Sequence, residues 1–143
     1  MNDSLGDLTG YANLALTRRL LRNFKSHGLT ITAEQFTVLN ELWQNEGRTQ
    51  LNLAQSTARD KPSMTRLINN LEKEGYLKRE PHPSDGRANL IYLTPKGQEL
   101  KKPALQVAVK TLFEGLNGIS QQDIEMTKGV LKKLIDNLDS SIK

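Results

Sequence analysis

The chain has 143 residues, no cysteine and a formal net charge of +4. That length suits a single domain with a real hydrophobic core, the lack of cysteine excludes disulfide staples and thiolate chemistry, and no run of ~18 apolar residues is present to span a membrane. The polar start MNDSLGDLTG is unlike a secretory signal, and two distant histidines, His27 and His82, are a poor ligand set for zinc, so a cytoplasmic protein without metal or cofactor is expected.

The charge is uneven. Residues 48–102 hold 11 Lys/Arg against 6 Asp/Glu, a net of +5, while the rest of the chain nets −1. A basic centre with near-neutral flanks suits a polyanion footprint or a solvated basic surface, and charge alone does not choose between them.

The first helix is expected over 5–27, ended by Gly28. Leu8, Ala12, Ala15, Leu16, Leu20 and Phe24 form one apolar stripe, while Leu14 and Leu21 fall on another side. A helix apolar on two sides is either deeply buried or shared between two bodies. Thr32 and Gln35 are spaced as a capping box for the next helix, with Ile31 and Phe36 as its staple. Phe36, Leu39, Leu42 and Trp43 carry its apolar face to Gly47, with Trp43 expected in the core.

A short helix follows from Thr49 to about Thr57. Asp60 then caps another, where Pro62 is tolerated because first-turn amides lack intrahelical acceptors. Met64, Leu67, Ile68 and Leu71 form a stripe spaced i, i+3, i+4, i+7, and Ser63, Arg66, Asn69 and Asn70 lie opposite, with Thr65 at the margin. Two short helices in tight succession, the second with a polar and partly basic outer face, fit a helix-turn-helix. Strands over 76–80 and 88–93, joined by the turn HPSDGR, add a hairpin wing.

Thr94 and Pro95 start a further helix bearing Leu100, Leu105, Val109, Leu112, Phe113 and Leu116, which Pro103 is expected to kink or break. Ser120 with Asp123, and Ile119 with Ile124, suggest a second box and staple for a last helix lined by Leu131, Leu134, Leu138 and Ile142. The fold class is thus mainly α with a small β-hairpin wing: a winged helix-turn-helix flanked by N- and C-terminal helices. No catalytic constellation is visible, so an enzyme is not expected.

In this order and length the pieces resemble the MarR-type (multiple-antibiotic-resistance regulator) transcription factors. "SDGRANLIYLTPKG" matches the family's Asp-x-Arg wing, apolar strand and Leu-Thr. "LAQSTARDKPSMTRLINNLEKEGYLKR" matches its helix-turn-helix. The resemblance implies a DNA-binding lobe over 30–97 and dimerisation helices over 1–29 and 98–143. It implies a homodimer joined through Leu14, Leu21, Leu131, Leu134 and Leu138, reading a double-stranded inverted-repeat operator, and a small aromatic effector that releases a repressor.

The resemblance also distributes roles. Arg87 enters the minor groove from the wing tip, with Asp85 aligning its guanidinium; Asp85 equally suits the turn itself, since Asp-Gly is a turn signal. Arg66 suits a bidentate contact to guanine and Asn69 an adenine. Ser63 and Thr65 suit phosphate or thymine-methyl contacts. Thr49, Gln50 and Lys61, at helix starts, suit phosphate, and Lys78 and Arg79 add basic charge along the wing. The competing reading is a winged-helix module that binds protein rather than DNA.

Overall fold

The computed structural model describes residues 2–139. Six helices and three short strands follow in chain order: α1 (Leu5–Ser26), α2 (Ala33–Gln44), β1 (Arg48–Thr49), α3 (Gln50–Ser56), α4 (Lys61–Lys73), β2 (Leu77–Pro81), β3 (Asn89–Leu93), α5 (Pro95–Gly115) and α6 (Gln121–Leu138). Ile142, placed above on the last helix, lies outside the described residues.

The helix starts follow the capping chemistry. The Thr32 hydroxyl accepts from the Gln35 amide at 3.0 Å, and Gln35 Oε1 accepts from the Thr32 amide at 3.0 Å, completing the box of α2. Thr49, Asp60 and Thr94 cap α3, α4 and α5 in one direction only, each side chain accepting from the amide three residues on. At α6 only half of the expected box forms. Ser120 Oγ accepts from the Asp123 amide at 3.1 Å, but the Ser120 amide donates no return bond to the Asp123 carboxylate. Aspartate is one methylene shorter than the Glu or Gln that closes a capping box.

The core sits where α1, α2, α4, α5 and the sheet converge. Phe24, Val38, Leu39, Met64, Ile68, Leu71 and Ile91 are fully buried. Trp43 joins them as expected, and its Nε1 donates to the Gly97 carbonyl at 3.0 Å, so the buried indole N–H is satisfied. Of the expected α1 stripe only Phe24 is buried, with Leu20 at the core's edge. Leu8 and Leu16 remain 36% and 42% exposed, because only the last turns of α1 reach the body of the lobe.

Two expectations are corrected. The wing is part of a three-stranded antiparallel sheet in the order β1-β3-β2, rather than a bare hairpin. β1 is two residues long, too short for any alternation to show, and it pairs Arg48 with Ile91 and Thr49 with Leu90. Pro103 does not break its helix: α5 runs without interruption from Pro95 to Gly115. Pro103 and Glu99, the residue whose carbonyl loses its intrahelical donor, are both exposed, which places the break in hydrogen bonding on the solvent side of the helix.

Candidate nucleic-acid interface

α4 is anchored from both ends and from beneath. At its start, Asp60 Oδ1 accepts from the Ser63 amide at 2.7 Å. That backbone bond, then the Ser63 hydroxyl, and the nearby Arg66 charge hold the Asp60 carboxyl below the usual carboxylate range. At its end, Lys96 Nζ donates to the Glu74 carbonyl at 2.7 Å and lies over the Tyr76 ring. Beneath, Met64, Ile68 and Leu71 are fully buried and Leu67 packs at the margin. This leaves Thr65, Arg66, Asn69 and Asn70 exposed and Ser63 half-buried, as the spacing predicts. Arg66 makes one bond, to Ser63 Oγ at 3.3 Å.

The wing tip is a folded turn. The Ala88 amide donates to the Asp85 carbonyl at 3.1 Å. Asp85 Oδ1 accepts from the Arg87 amide at 3.0 Å, and His82 Nδ1 accepts from the amides of Ser84 and Asp85 at 3.1 and 3.2 Å. His82 therefore carries its proton on Nε2 when neutral. The Arg87 side chain is 97% exposed, and its Nε lies 3.9 Å from Asp85 Oδ1, beyond hydrogen-bond reach. In the free chain Asp85 thus shapes the backbone and pairs only loosely with the guanidinium.

The residues expected to supply phosphate contacts divide into two groups. Lys61 is exposed at the first residue of α4. Lys78 is half exposed, 3.4 Å from Glu80. Thr49 is half-buried, and its hydroxyl accepts from the Asn52 amide at 3.1 Å. Gln50 and Arg79, by contrast, are engaged with the protein itself. Arg79 is only 20% exposed and donates to Glu72, to Asn69 Oδ1 at 2.6 Å and to Gln50 Oε1 at 3.1 Å. Gln50 Nε2 in turn donates to Thr65 Oγ1 at 3.1 Å. Arg79 is therefore a tie between β2, α3 and α4, not a free cation along the wing. Strand alternation is the signal that finds this: Arg79 lies two residues from buried Leu77 and opposite buried Ile91, so it shares the inward face.

Arg48 plays a comparable part that the sequence reading did not assign. It is 13% exposed and donates to Glu41 Oε2 at 2.7 Å, Ser56 Oγ at 2.8 Å and Asn52 Oδ1 at 2.6 Å, clamping both ends of α3 to α2.

Away from this face, the apolar residues expected at an interface remain uncovered. Leu14, Leu131 and Leu138 are 43%, 37% and 79% exposed, and Leu21 and Leu134 are half-buried. α6 is amphipathic yet buries no residue. Among the described residues no group of three or more His, Asp or Glu is placed to hold a metal ion, and no helix is long and apolar enough to cross a membrane.

Comparisons with known proteins agree with this geometry. Residues 31–88, which span the helix-turn-helix and most of the wing, match the sequence profile of the MarR family. An uncharacterised HTH-type transcriptional regulator of Mycobacterium leprae is 31% identical over 143 residues, covering 99% of both chains. A probable transcriptional regulator from Pseudomonas aeruginosa superposes with a TM-score of 0.84 at 27% identity, over 93% of this chain and 98% of that one. A mutant MarR from E. coli complexed with operator DNA superposes with a TM-score of 0.85 at 26% identity, over 92% and 93%. The wing, the capped polar helix and this full-length likeness place the chain in the MarR family, whose members are transcriptional regulators and not enzymes.

Proposed function

We propose that the chain is a cytoplasmic, homodimeric regulator that binds a specific double-stranded operator and acts as a repressor released by a small-molecule effector. One observation carries the DNA reading: α4 turns an exposed polar face outward over a fully buried apolar seat, beside a wing that ends in an almost wholly solvated arginine. A protein-docking face would instead expose apolar side chains there. In this reading residues 30–97 are the DNA-binding lobe, and 1–29 and 98–143 are the dimerisation helices.

α4 lies in the major groove. Arg66 makes a bidentate contact to guanine, and Asn69 and Thr65 meet neighbouring base edges. Ser63, Lys61, Lys78 and the hydroxyl proton of Thr49 reach phosphate. Arg87 enters the adjacent minor groove, where narrow A·T-rich segments concentrate negative potential. Asp85 holds the turn that carries it. Gln50 and Arg79 fix the angle between α3, α4 and the wing.

The exposed apolar faces of α1, α5 and α6 support self-association. Leu112, Phe113, Met126 and Val130, each at least 49% exposed, extend the patch of Leu14, Leu21, Leu131, Leu134 and Leu138. A two-fold pair would read inverted half-sites about one helical turn, ~10 bp, apart. A recess of about 410 Å³ between α1 and α5, lined by Leu16, Arg19, Leu112 and Leu116, is the candidate effector seat. Arg19 Nη1 is paired there with Glu114 at 2.6 Å, and its Nη2 and Nε make no bond to the described residues and remain open to the carboxylate of an aromatic acid.

Selection from a random duplex pool tests the proposal. The expected result is a palindromic motif bound by a species of twice the chain mass in light scattering. Arg87→Ala should weaken binding and lower the log–log salt slope by about one. A native monomer that enriches no motif and binds duplex without salt dependence would overturn it.

A further inference from the structure

We infer that Asn69 meets DNA as a hydrogen-bond donor only, so that it selects a base whose major-groove edge offers acceptors and no donor, guanine or thymine, and Arg79 is the positioning residue that imposes this polarity. The inference rests on the DNA-binding reading above and specifies the chemistry of the same helix.

The argument begins at Arg79. A guanidinium offers five N–H donors and no acceptor, so an amide touching it must turn its oxygen inward. Arg79 Nη2 lies 2.6 Å from Asn69 Oδ1 and 3.1 Å from Gln50 Oε1. Both amides are therefore oriented by chemistry: oxygen toward the cation, nitrogen away. Reversing either one would set N–H against N–H beside a positive charge.

The neighbours keep Arg79 in place. Its Nη1 donates to the Glu72 carboxylate, a charge-assisted bond on the same helix as Asn69. Gln50 is pinned from its other end, because Nε2 donates to Thr65 Oγ1 at 3.1 Å while the Thr65 hydroxyl donates to the Lys61 carbonyl at 3.0 Å. Thr65 thus has no free proton and offers a base its methyl group. Asn69 Nδ2 makes no bond to the described residues, and Asn69 is exposed.

An amide distinguishes adenine from guanine by serving with both of its atoms: the oxygen accepts from N6 and the nitrogen donates to N7. Here the oxygen is turned toward Arg79 at 2.6 Å, so the amide offers a base edge its N–H groups alone: adenine N7 can still accept one, but the adjacent N6 amine then meets a donor instead of an acceptor. Guanine O6 and N7, or thymine O4, ask only for the free N–H groups. In this inference guanine or thymine takes the place of the adenine expected for Asn69 from the sequence.

The test uses the full-length protein and random-duplex selection, comparing wild type with Asn69→Ala. The substitution is on an exposed position, and circular dichroism confirms equal folding. Wild type should prefer guanine or thymine, by roughly tenfold, at one position per half-site, and Asn69→Ala should lose preference at that position alone. Loss of an adenine preference instead, or an unchanged motif, would overturn the inference while leaving the DNA reading intact. A wild type that enriches no motif would bring down that reading itself. As a second arm, Arg79→Met frees the amide and should let adenine be accepted where wild type rejects it. Continued rejection of adenine by a folded Arg79→Met would remove Arg79 from the argument.

Discussion

Replacing Gly97 by alanine should destabilise the protein, although the same substitution in a helix ordinarily helps. Gly97 is buried in the first turn of α5. A Cβ built there would stand 2.2 Å from the Tyr76 carbonyl oxygen and 3.2 Å from Leu93 Cδ2. The first contact is with backbone, and that carbonyl is itself held by the Thr94 amide at 3.0 Å, so no side-chain rotation relieves it. α5 would have to move by about 1 Å from the Tyr76 backbone to restore a van der Waals distance. The Gly97 carbonyl also accepts the Trp43 indole N–H, so the shift would pull on the core. Overpacking of this kind costs about 1–3 kcal/mol. The helix-propensity gain from Gly to Ala offsets about 1 kcal/mol, leaving a net loss of up to about 2 kcal/mol. Gly129 supplies the control. It lies mid-helix in α6, nothing stands within 4 Å of its Cβ position, and helical spacing puts it opposite Leu131, Leu134 and Leu138. Gly129→Ala should therefore stabilise, by up to about 1 kcal/mol. Urea midpoints at one chain concentration would compare the two, since association shifts apparent stability. A Gly97→Ala protein stabilised as much as Gly129→Ala would refute the close approach of α5 to the Tyr76 backbone.

Thr32→Ala removes one arm of the α2 capping box and should cost about 1–2 kcal/mol in denaturant unfolding; Thr32→Ser should restore most of it. Because the Asp60 carboxyl titrates below its usual range in the folded chain, its contribution is fully present above the unfolded-state value near 3.9 and is lost as pH falls through the lower folded value. Asp60→Asn keeps the cap and should show a smaller fall in urea midpoint than wild type on acidification below about pH 4; equal falls would deny the shift. At the wing, Asp85→Asn retains an acceptor for the Arg87 amide and removes a negative charge, so it should bind operator at least as tightly as wild type, while Asp85→Ala should bind less tightly. Weakening by both variants in filter binding at fixed salt would instead assign Asp85 to orienting the guanidinium.

What the sequence made legible was whatever local chemistry decides. Thr32, Asp60, Thr94 and Ser120 each cap the helix expected of them, because an N-cap oxygen and the amide it serves are three residues apart and depend on nothing distant. The stripe Met64–Leu71 is buried for a similar reason: its period matches the helix and the opposite face is polar. β1 was not legible, since two residues carry no pattern and exist as a strand only through pairing with Ile91 and Leu90 forty residues later. The missing amide of Pro103 points to a kink or a break, and α5 shows no break. Whether the helix tolerates it depends on which face the proline occupies, which is a property of the packed helix: Pro103 and Glu99 are both exposed.

The interface residues divide along the same line. That α4 carries Ser63, Thr65, Arg66 and Asn69 on its outer face follows from spacing, and so does the exposure of Arg87 at a Gly-containing turn. What each side chain has left to offer a base does not follow from spacing, because it is set by partners from other elements. Arg66 and Arg79 are the same residue type, 13 positions apart in one basic segment. Arg66 keeps most of its donors because its one partner, Ser63, is on its own helix. Arg79 keeps almost none because strand alternation turns it toward α3 and α4, where Gln50, Asn69 and Glu72 converge on it. The net charge of the segment is the same whichever arginine is free. Its capacity to contact a polyanion is not, since a cation already bonded to a carboxylate and two amides must break those bonds before it meets a phosphate. Counting charges along the chain therefore overstates the electrostatic footprint, and the salt dependence of binding should reflect Arg66, Arg87, Lys61 and Lys78 rather than the whole basic segment.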